Sequence, residues 1–273
     1  MPLRLRDPDA AAAFYGGLFG WEFEDVMPAE APGRYLVGRL AGRDVGAVAS
    51  QAEGAAATPA WNTYVRVDSA DDAAAKVREA GGTALVEPFD MGDAGRMAVF
   101  ADPSGAAFSV WQANDFQGAQ LVNEPCTWNF SELNTRDPEG AAAFYGSVLG
   151  WGLSTFNGGG AEFTTWRVPG YGEHLAATDP ELRERLANDG APDGFEDAVA
   201  VLIEMSSDRS PDEAPPHWSI TFAVDDADAT TARAFELGGK VIVPPFDAPY
   251  VRMAVLSDPQ GAVFNVSKYV PMR

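Results

Sequence analysis

Cysteine is almost absent from this chain, which has one, Cys126, among 273 residues. A lone cysteine cannot form an internal disulfide or a cysteine-rich zinc site, and this favours a reducing compartment. Basic residues are also scarce, with 19 Lys and Arg against 40 Asp and Glu, so the formal net charge is −21. A field of that sign repels phosphate backbones and anionic membrane surfaces. We therefore expect no nucleic-acid partner and no membrane partner.

Long hydrophobic runs are absent too. No stretch approaches the roughly 20 apolar residues of a membrane span. The opening residues, MPLRLRDPDAAAAFY, lack the apolar core of a signal peptide. A cytoplasmic location is therefore expected, and at roughly 100–200 residues per domain the length predicts two domains.

What the chain does contain is a repeat of itself. Residues 6–21 and 136–151 are identical at 11 of 16 positions, and GRMAVFADPSGAAF at 95–108 matches VRMAVLSDPQGAVF at 251–264. A polar segment without periodicity separates the two copies. The repeat predicts a first domain over 1–115, a linker over 116–125 and a second domain over 126–273.

Each half is predicted to consist of two pieces of the same order, strand–helix–strand–strand–strand. Asp7 and Asp137 precede prolines and are expected to cap helices, which Gly20 and Gly150 end. The second half has gained an insertion at about 179–216. It is expected to be helical over 180–188 and 195–205, and to act as a lid or as a contact with the other domain.

These motifs resemble those of the vicinal oxygen chelate superfamily, which includes glyoxalase I, bleomycin-resistance proteins and extradiol dioxygenases. The resemblance rests on the AAAFYG…LGW helix, the strand-to-helix junction 224–229 and the DPxGxxF turns at 102–108 and 258–264. It is strongest to tandem glyoxalase-like proteins of actinobacteria. It implies an α+β fold of two glyoxalase-like domains, each with two βαβββ units that form a cup-shaped sheet around a ligand. Such a fold hosts many chemistries, so it does not name the reaction.

The first half has little chain before its first helix. Its opening strand is expected to be a stub near residues 3–6, whereas residues 124–135 supply a full strand to the second half. Either the first cup is incomplete or another chain pairs with the bare edge. A homodimer through this exposed edge is one expectation that follows.

In metal-using relatives, His, Glu or Gln ligands lie on four strands of the cup. The resemblance places Ser109, Asn265, Asn62, Ser219 and Phe130 at the matching positions of this chain. Serine and asparagine are poor ligands for Zn²⁺ or Ni²⁺, and phenylalanine is none. No metal and no other cofactor are expected at these positions.

Histidine occurs only in the second half, as His174 and His217. His174 lies on a predicted strand over 174–177, and Glu132 shares a strand face with Phe130. A shifted set of Glu132, His174 and His217 is the candidate for acid–base catalysis, or for a divalent metal site if there is one. The alternative places His217 in a loop after two prolines and His174 near a rim.

Alternation along the strands predicts which side chains face the ligand. In Trp218–Val224 the large apolar residues take every second place and are expected to pack on a helix. The candidate ligand-binding residues are Trp128, Phe130, Ser219, Thr221, Tyr250, Arg252 and Asn265 in the second half and Asn62, Tyr64, Ser109 and Trp111 in the first. Aromatic walls with a few polar groups are typical of small-molecule sites, although the same aromatics can simply fill a core. Arg252 and its counterpart Arg96 can bind an anion, or can brace a hairpin through Asp247 or Asp90.

Three functions stay open on the sequence alone. The leading hypothesis is a metal-independent protein that binds or converts a hydrophobic or aromatic metabolite in the second cup. The second is a metal-dependent lyase or dioxygenase that uses Glu132, His174 and His217. The third is a non-catalytic interaction protein. Whether the chain is an enzyme is therefore open; an enzyme of this kind would be a glyoxalase-like lyase or isomerase, or an oxygenase.

Overall fold

The computed structural model describes residues 2–28, 30, 32–51, 59–158, 161–177, 180–188, 190–206 and 214–270. It contains four modules of similar order. The first comprises β1 (Pro2–Leu5), α1 (Pro8–Phe19), β2 (Glu22–Asp25), β3 (Tyr35–Leu40) and β4 (Arg43–Ser50). The second comprises β5 (Ala60–Trp61), β6 (Tyr64–Arg66), α2 (Ala70–Glu79), β7 (Thr83–Asp90), β8 (Gly95–Ala101) and β9 (Ala107–Ala113).

The second half follows the same plan, with an insertion. The third module comprises β10 (Trp128–Thr135), α3 (Pro138–Leu149), β11 (Gly152–Gly158), β12 (Ala161–Arg167), α4 (Tyr171–Ala176), α5 (Leu182–Asn188) and β13 (Ala198–Glu204). The fourth comprises β14 (His217–Ala223), α6 (Ala227–Glu236), β15 (Lys240–Ala248), β16 (Val251–Ser257) and β17 (Val263–Tyr269). In the described part of the chain, no helix is long and apolar enough to cross a membrane.

The predicted helix ends are confirmed. The Asp7 and Asp137 carboxylates accept hydrogen bonds from the N–H groups of Ala10 and Gly140, three residues on, and so satisfy donors that have no partner within the helix. At the other end, Gly20 and its counterpart Gly150 adopt left-handed conformations, with φ of 73° and 71°. A side chain at either position would strain the backbone.

The opening strand of the chain is short, as expected, but it is not a bare edge. β1 pairs in parallel with β4 and antiparallel with β5, and Leu3 is fully buried. The expectation of an unpaired edge at residues 3–6 is therefore wrong, because the first residues of the second module supply the missing neighbour. A homodimer stays a prediction, but an unpaired edge at residues 3–6 no longer supports it.

Two predictions about residues 174–205 are also wrong. Residues 195–205 were expected to be helical, but only a 3-10 turn at Phe195–Asp197 precedes strand β13. Residues 174–177 were expected to form a strand, but His174 lies in α4. The insertion therefore lies inside the third module, between β12 and β13, and not between two modules. Most of the loop that follows β13 lies outside the described residues.

The strands form open, curved sheets, as the predicted α+β fold requires. Strands of the second half follow the order β11–β12–β13–β10–β14–β17–β16–β15. Those of the first half form two sheets, β2–β3–β4–β1–β5 and β6–β9–β8–β7. The first, third and fourth modules thus contribute four strands each, and the second contributes five, because its opening strand is divided into β5 and β6, which belong to different sheets.

The compact units of the chain draw on both sequence halves. Among the described residues, unit 1 draws on the ranges 2–63, 117–129 and 219–270, and unit 2 draws on the ranges 64–116 and 130–218. Each unit has a hydrophobic core made by one module from each half, since α1 packs with the fourth module and α3 with the second. The boundaries at 115 and 126 describe the sequence repeat, and as domain limits they stay a prediction.

Candidate functional site

One face of the third module, within unit 2, combines aromatic side chains with a carboxylate. Strand register places Glu132 of β10 beside Val201 of β13, Val201 beside Thr165 of β12, and Thr165 beside Ser154 of β11. Residues paired in this way point to the same side of a sheet. Their neighbours Leu133, Ala200 and Trp166 point to the other side, into the core of unit 2. The paired residues therefore lie on the face away from that core, and we call them the Glu132 row: Glu132, Val201, Thr165 and Ser154.

Four phenylalanines lie on this face, and we call them the phenylalanine cluster: Phe130, Phe156, Phe163 and Phe195. The ring centroid of Phe195 lies 6.0 Å from Phe130, 5.7 Å from Phe156 and 6.5 Å from Phe163. Phe156 and Phe163 are themselves 5.5 Å apart. All four rings are half-buried, and none belongs to the core of unit 2.

The insertion is what brings Phe195 to this face. Gly194 takes a left-handed conformation, with φ of 81°, and starts the turn that carries Phe195. Asp197 then ties the turn to the preceding segment. Its carbonyl accepts from the Val168 N–H at 3.0 Å, and its carboxylate accepts from the Gly172 N–H at 2.9 Å. Of the two roles considered for the insertion, the contacts support a cover over this face of its own module.

The three residues of the candidate set, Glu132, His174 and His217, differ in exposure, and their joint role stays a prediction. Glu132 is half-buried on the face just described. His174 is exposed on α4 and stacks on Tyr171, and His217 is exposed with its Nδ1 2.9 Å from the Pro215 carbonyl. Among the residues described, no group of three His, Cys, Asp or Glu side chains is placed to hold a metal ion.

The positions where relatives of this fold hold metals do not fit one here. Asn62 uses its amide N–H to bond the carbonyls of Pro2 and Ala60, and Ser109 is buried with 1% exposure. The Asn265 amide lies 3.4 Å from the Thr221 hydroxyl. Ser219 is half-buried on β14, and Phe130 has no donor atom. Neutral amides and hydroxyls of this kind are weak ligands for transition metals.

In the second module, the corresponding face is filled by its own side chains. The Tyr64 hydroxyl approaches the Met97 sulfur at 3.9 Å, and Met97 is 3% exposed. The Trp111 indole donates to the Phe116 carbonyl at 2.8 Å, and its ring contacts the space where a Cβ on Gly95 would lie. These contacts favour the packing alternative of the sequence analysis, and a ligand-binding role for Tyr64, Ser109 and Trp111 stays a prediction.

The fourth module carries a small group of buried polar side chains in unit 1. Thr221, Asn265 and Ser267 are at most 5% exposed, and the Asn129 amide lies 3.4 Å from the Ser267 hydroxyl. The predicted alternation along β14 is confirmed, because Trp218, Ile220, Phe222 and Val224 are all buried in cores. Trp128 packs against the core of unit 1 and is half-buried.

Arg252 and Arg96 brace hairpins, which is the second of the two roles that the sequence analysis considered for them. Arg252 bonds Asp228 through two nitrogens and Asp247 at 3.0 Å, and Arg96 bonds Asp71 and Asp90 in the same way. Tyr250 occupies the turn before β16 in a left-handed conformation, with φ of 62°. Two carboxylates already meet the charge of each guanidinium, which weakens its attraction for an anionic ligand.

A buried network that the sequence analysis did not predict recurs in both units. The Trp218 indole donates to the Tyr145 hydroxyl at 2.8 Å, which donates to Asp102 at 3.1 Å. In unit 1 the same bonds link Trp61, Tyr15 and Asp258, at 2.9 and 3.3 Å. Burial, then the charge of the neighbouring aspartate, raises the pKa of both tyrosines. Burial also raises the pKa of Asp258.

The repeated motifs gave a signal for this network, since each motif holds one of its members.

The single cysteine, Cys126, is half-buried in unit 1, and its carbonyl accepts a hydrogen bond from the Trp21 indole at 2.8 Å. Burial, then the charge of Asp225, raises the pKa of its thiol. A raised pKa disfavours the thiolate, in keeping with a structural role.

Comparison with known proteins gives both family and relatives. Residues 2–110 match the model of the glyoxalase/bleomycin resistance protein/dioxygenase superfamily, and residues 131–267 match a glyoxalase-like domain. A Mycobacterium tuberculosis protein named "Putative glyoxylase CFP32" is 40% identical over 274 residues, covering 99% of this chain and 94% of the relative. The anthracycline biosynthesis protein DauV of Streptomyces sp. (strain C5) is 34% identical over 277 residues, covering 96% and 90%.

Among solved structures, the Mn(II)-bound glyoxalase of Novosphingobium aromaticivorans resembles the chain with a TM-score of 0.58 and 16% identity. The match covers 98% of this chain and 80% of that one. A likeness at such low identity establishes the fold alone. With both halves matched by family models and full-length relatives at this identity, the chain belongs to the glyoxalase/bleomycin resistance protein/dioxygenase superfamily, also called the vicinal oxygen chelate superfamily.

Proposed function

We propose that this protein binds a hydrophobic or aromatic small molecule on the face of the third module, without a metal ion. The observation that carries the proposal is the phenylalanine cluster, four half-buried rings on the side of the sheet away from the core. Aromatic side chains beside a few polar groups are the usual lining of small-molecule sites.

The chemistry of this face suits a flat apolar ligand. Phenylalanine rings favour offset stacking and edge-to-face contact with another aromatic ring at centroid distances of ~4.5–7 Å. Glu132 adds a carboxylate, which accepts a hydrogen bond from a ligand or takes a proton from it. Binding therefore needs only the rings, and any conversion of the ligand would involve Glu132.

The cover formed by the insertion gives such a site a second wall. Phe195 belongs to the insertion, whereas Phe130, Phe156 and Phe163 belong to strands of the sheet. A ligand that enters between them would exchange ring–ring contacts for ring–ligand contacts of similar kind. The relative DauV is named for anthracycline biosynthesis, and an anthracycline, as a fused-ring aromatic compound, belongs to the chemical class proposed here.

The test measures binding of naphthalen-2-ylmethanol, a neutral aromatic probe, by calorimetry. We expect saturable binding by the wild type and an affinity about fivefold to tenfold lower for Phe195→Ala, because one stacking partner is lost. Phe235→Ala is the matched control, since Phe235 lies on α6 in unit 1 with 69% exposure. Absence of binding by the wild type, or equal weakening by both variants, would overturn the proposal.

Metal independence is tested on the same preparation. Elemental analysis of the purified protein is expected to find divalent metal well below one ion per chain, and treatment with a chelator is expected to leave probe binding unchanged. A tightly held stoichiometric ion whose removal abolishes probe binding would contradict this part of the proposal.

A further inference from the structure

We infer that Phe195 closes the phenylalanine cluster as a gate, and that Asp197 is the latch that holds the gate shut; this inference rests on the function proposed above. The gate is the turn over residues 192–198, which we call the Phe195 turn. A ligand reaches the Glu132 row only when this turn lifts from the sheet. The latch therefore sets how fast a ligand binds.

The ring of Phe195 lies across the Glu132 row. Strand β10 runs parallel to β13, and β12 runs antiparallel to it, so Phe130 lies on one side of the row and Phe163 on the other. Phe156 pairs with Phe163 and shares its side. The ring of Phe195 contacts all three, at centroid distances of 5.7–6.5 Å. It therefore covers the middle of the row.

These contacts leave no space for a ligand ring under Phe195. Centroid distances of ~4.5–7 Å are those of aromatic rings in direct contact. Thr165, in the middle of the row, is 1% exposed. A ligand ring between Phe195 and the strands would add its own thickness of about 3.5 Å, the separation of carbon atoms in contact. Binding therefore requires Phe195 to move away from the sheet.

The backbone of the Phe195 turn must move with the ring, because rotation of the side chain alone would carry the ring off the ligand and remove the second wall. Two hydrogen bonds of Asp197 hold the turn. Its carbonyl accepts from the Val168 N–H at 3.0 Å, and its carboxylate accepts from the Gly172 N–H at 2.9 Å. A displacement of about 3.5 Å takes both beyond the ~2.7–3.2 Å of an N–H···O bond. Opening of the gate therefore breaks the latch.

Helix α4 fits closely against the closed turn. Gly172 is buried, and a Cβ at this position would overlap the Cβ and Cγ of Glu196. Gly172→Ala would therefore displace Glu196, and the Phe195 turn with it. A third contact, from Arg183 to the Glu196 carboxylate at 3.7 Å, joins groups that water reaches and adds little.

The experiment follows the binding of naphthalen-2-ylmethanol by stopped-flow fluorescence, which gives association and dissociation rate constants separately. A site that is open for a fraction of the time binds with an association rate constant lowered by that fraction. We expect Asp197→Ala to raise the association rate constant about tenfold, the effect of one hydrogen bond to a charged group. The dissociation rate constant should stay within twofold, because the latch is already broken in the bound state. Gly172→Ala should act in the same way and keeps the carboxylate.

Phe195→Ala separates the gate from the second wall. It removes both, so association should accelerate about tenfold and dissociation about 50-fold to 100-fold, which together give the lower affinity predicted above. Asp193→Ala is the matched control, because Asp193 is an exposed acid of the same insertion, two residues before Phe195. It should change both rate constants by less than twofold.

A wild-type association rate in Asp197→Ala would overturn the inference, and so would an association rate in Phe195→Ala at or below that of the wild type. Saturable binding shows that a variant is folded, and if Asp197→Ala does not fold, the rate of Gly172→Ala decides in its place. Either contrary result leaves the proposed function standing, because that function depends on equilibrium affinity. If the wild type does not bind the probe, both fail.

Discussion

At the residue scale, one buried tyrosine in each unit connects helix, strand and turn. In unit 2, Asp102 accepts from the Tyr145 hydroxyl with one oxygen and from the N–H groups of Ser104 and Ala106 with the other. The same carboxylate thus closes the DPxG turn and holds the helix. Because Asp102 and Tyr145 are almost fully buried, neither can exchange these bonds for bonds to water.

Tyr145→Phe is expected to lower the free energy of unfolding by about 2 kcal/mol. The change keeps the ring but leaves the Trp218 indole N–H and one Asp102 oxygen without their bonds, and each buried orphan costs about 1–3 kcal/mol. Urea denaturation measures the difference. Tyr64→Phe is the control, since its hydroxyl bonds only weakly to a sulfur at 3.9 Å, and it should cost under about 0.5 kcal/mol. Equal costs for the two variants would contradict the role given to the network.

The burial of Asp258 predicts how its contribution to the free energy of unfolding changes with pH. Burial raises its pKa in the folded state, whereas an unfolded aspartate titrates near ~3.9. Between those two values the folded chain holds more protons than the unfolded chain, so the contribution of Asp258 to stability grows as the pH falls. The unfolding free energy of the wild type minus that of Asp258→Asn should therefore increase from pH 7 toward pH 4.

Asp228→Asn provides the opposite case for this measurement. The hydrogen bonds and charge of Arg252 lower the pKa of Asp228, so its contribution is present at neutral pH and is lost as the pH falls through its folded pKa. The unfolding free energy of the wild type minus that of Asp228→Asn should therefore decrease as the pH falls from 7 toward 4. Two differences that change in the same direction would show that burial does not control the titration of Asp258.

At the element scale, the contact between the first helix of a half and the DPxG turn of the same unit is packed differently in units 1 and 2. In unit 2 a groove of about 490 Å³ lies between α3, the end of α2 and the turn after Asp102. In unit 1 the counterparts of two lining residues, Ala80 and Ser104, are Leu237 and Gln260. The methyl carbons of Leu237 lie 3.0 and 3.2 Å from where a Cβ on Gly17 would be, and Gln260 bonds the peptide groups of Asp7. Larger side chains thus occupy this place in unit 1.

Ala80→Leu is expected to stabilise the protein by less than about 0.5 kcal/mol, because the apolar surface that it adds to the groove must pack against Ser147, which stands where unit 1 has Gly17. Ala80 and Leu237 have nearly the same backbone conformation, with φ of −85° and −82°, so the substitution causes no backbone strain. The reciprocal variant, Leu237→Ala, should destabilise by about 1–2 kcal/mol. Thermal and urea unfolding measure both. A loss of stability in Ala80→Leu would mean that the groove cannot accept the side chain that its counterpart holds.

At the scale of the whole molecule, the two cores cross the sequence repeat. The core of unit 1 joins residues 3–61 to residues 220–266, and the core of unit 2 joins residues 70–110 to residues 133–218. Each half of the chain therefore contains one side of both cores and neither core complete.

The first half, expressed alone as residues 1–115, is expected not to fold as a stable monomer. It would expose the faces of α1 and α2 that are buried in the whole chain by the fourth and third modules. Mixing it with residues 116–273 should restore a one-to-one complex with the secondary structure of the intact chain. Circular dichroism and size-exclusion chromatography follow both steps. A cooperative thermal transition for the monomeric first half would contradict the expectation.

The modules could be predicted from the sequence because their signals are local. Helix caps, alternation along β14 and the DPxG turns depend on neighbours within a few residues, and the structure places all of them as predicted. The strand β13 was missed because AVAVLIE is a continuous apolar run, whose period does not separate helix from strand. The Pro2–Leu5 strand was interpreted as an edge because its partner, β5, comes some 55 residues later in the chain.

Sequence alone determined the repeat, the family resemblance and the absence of metal-binding side chains at the family positions, since residue identities carry these directly. It also identified Phe130 and Glu132, because alternation puts them on one face. Only the tertiary structure decided that His174 and His217 are exposed whereas Glu132 is half-buried, and that Phe195 joins the rings of β10, β11 and β12. Those placements depend on how the insertion folds back over the sheet, which is set by contacts between distant segments and not by the local pattern.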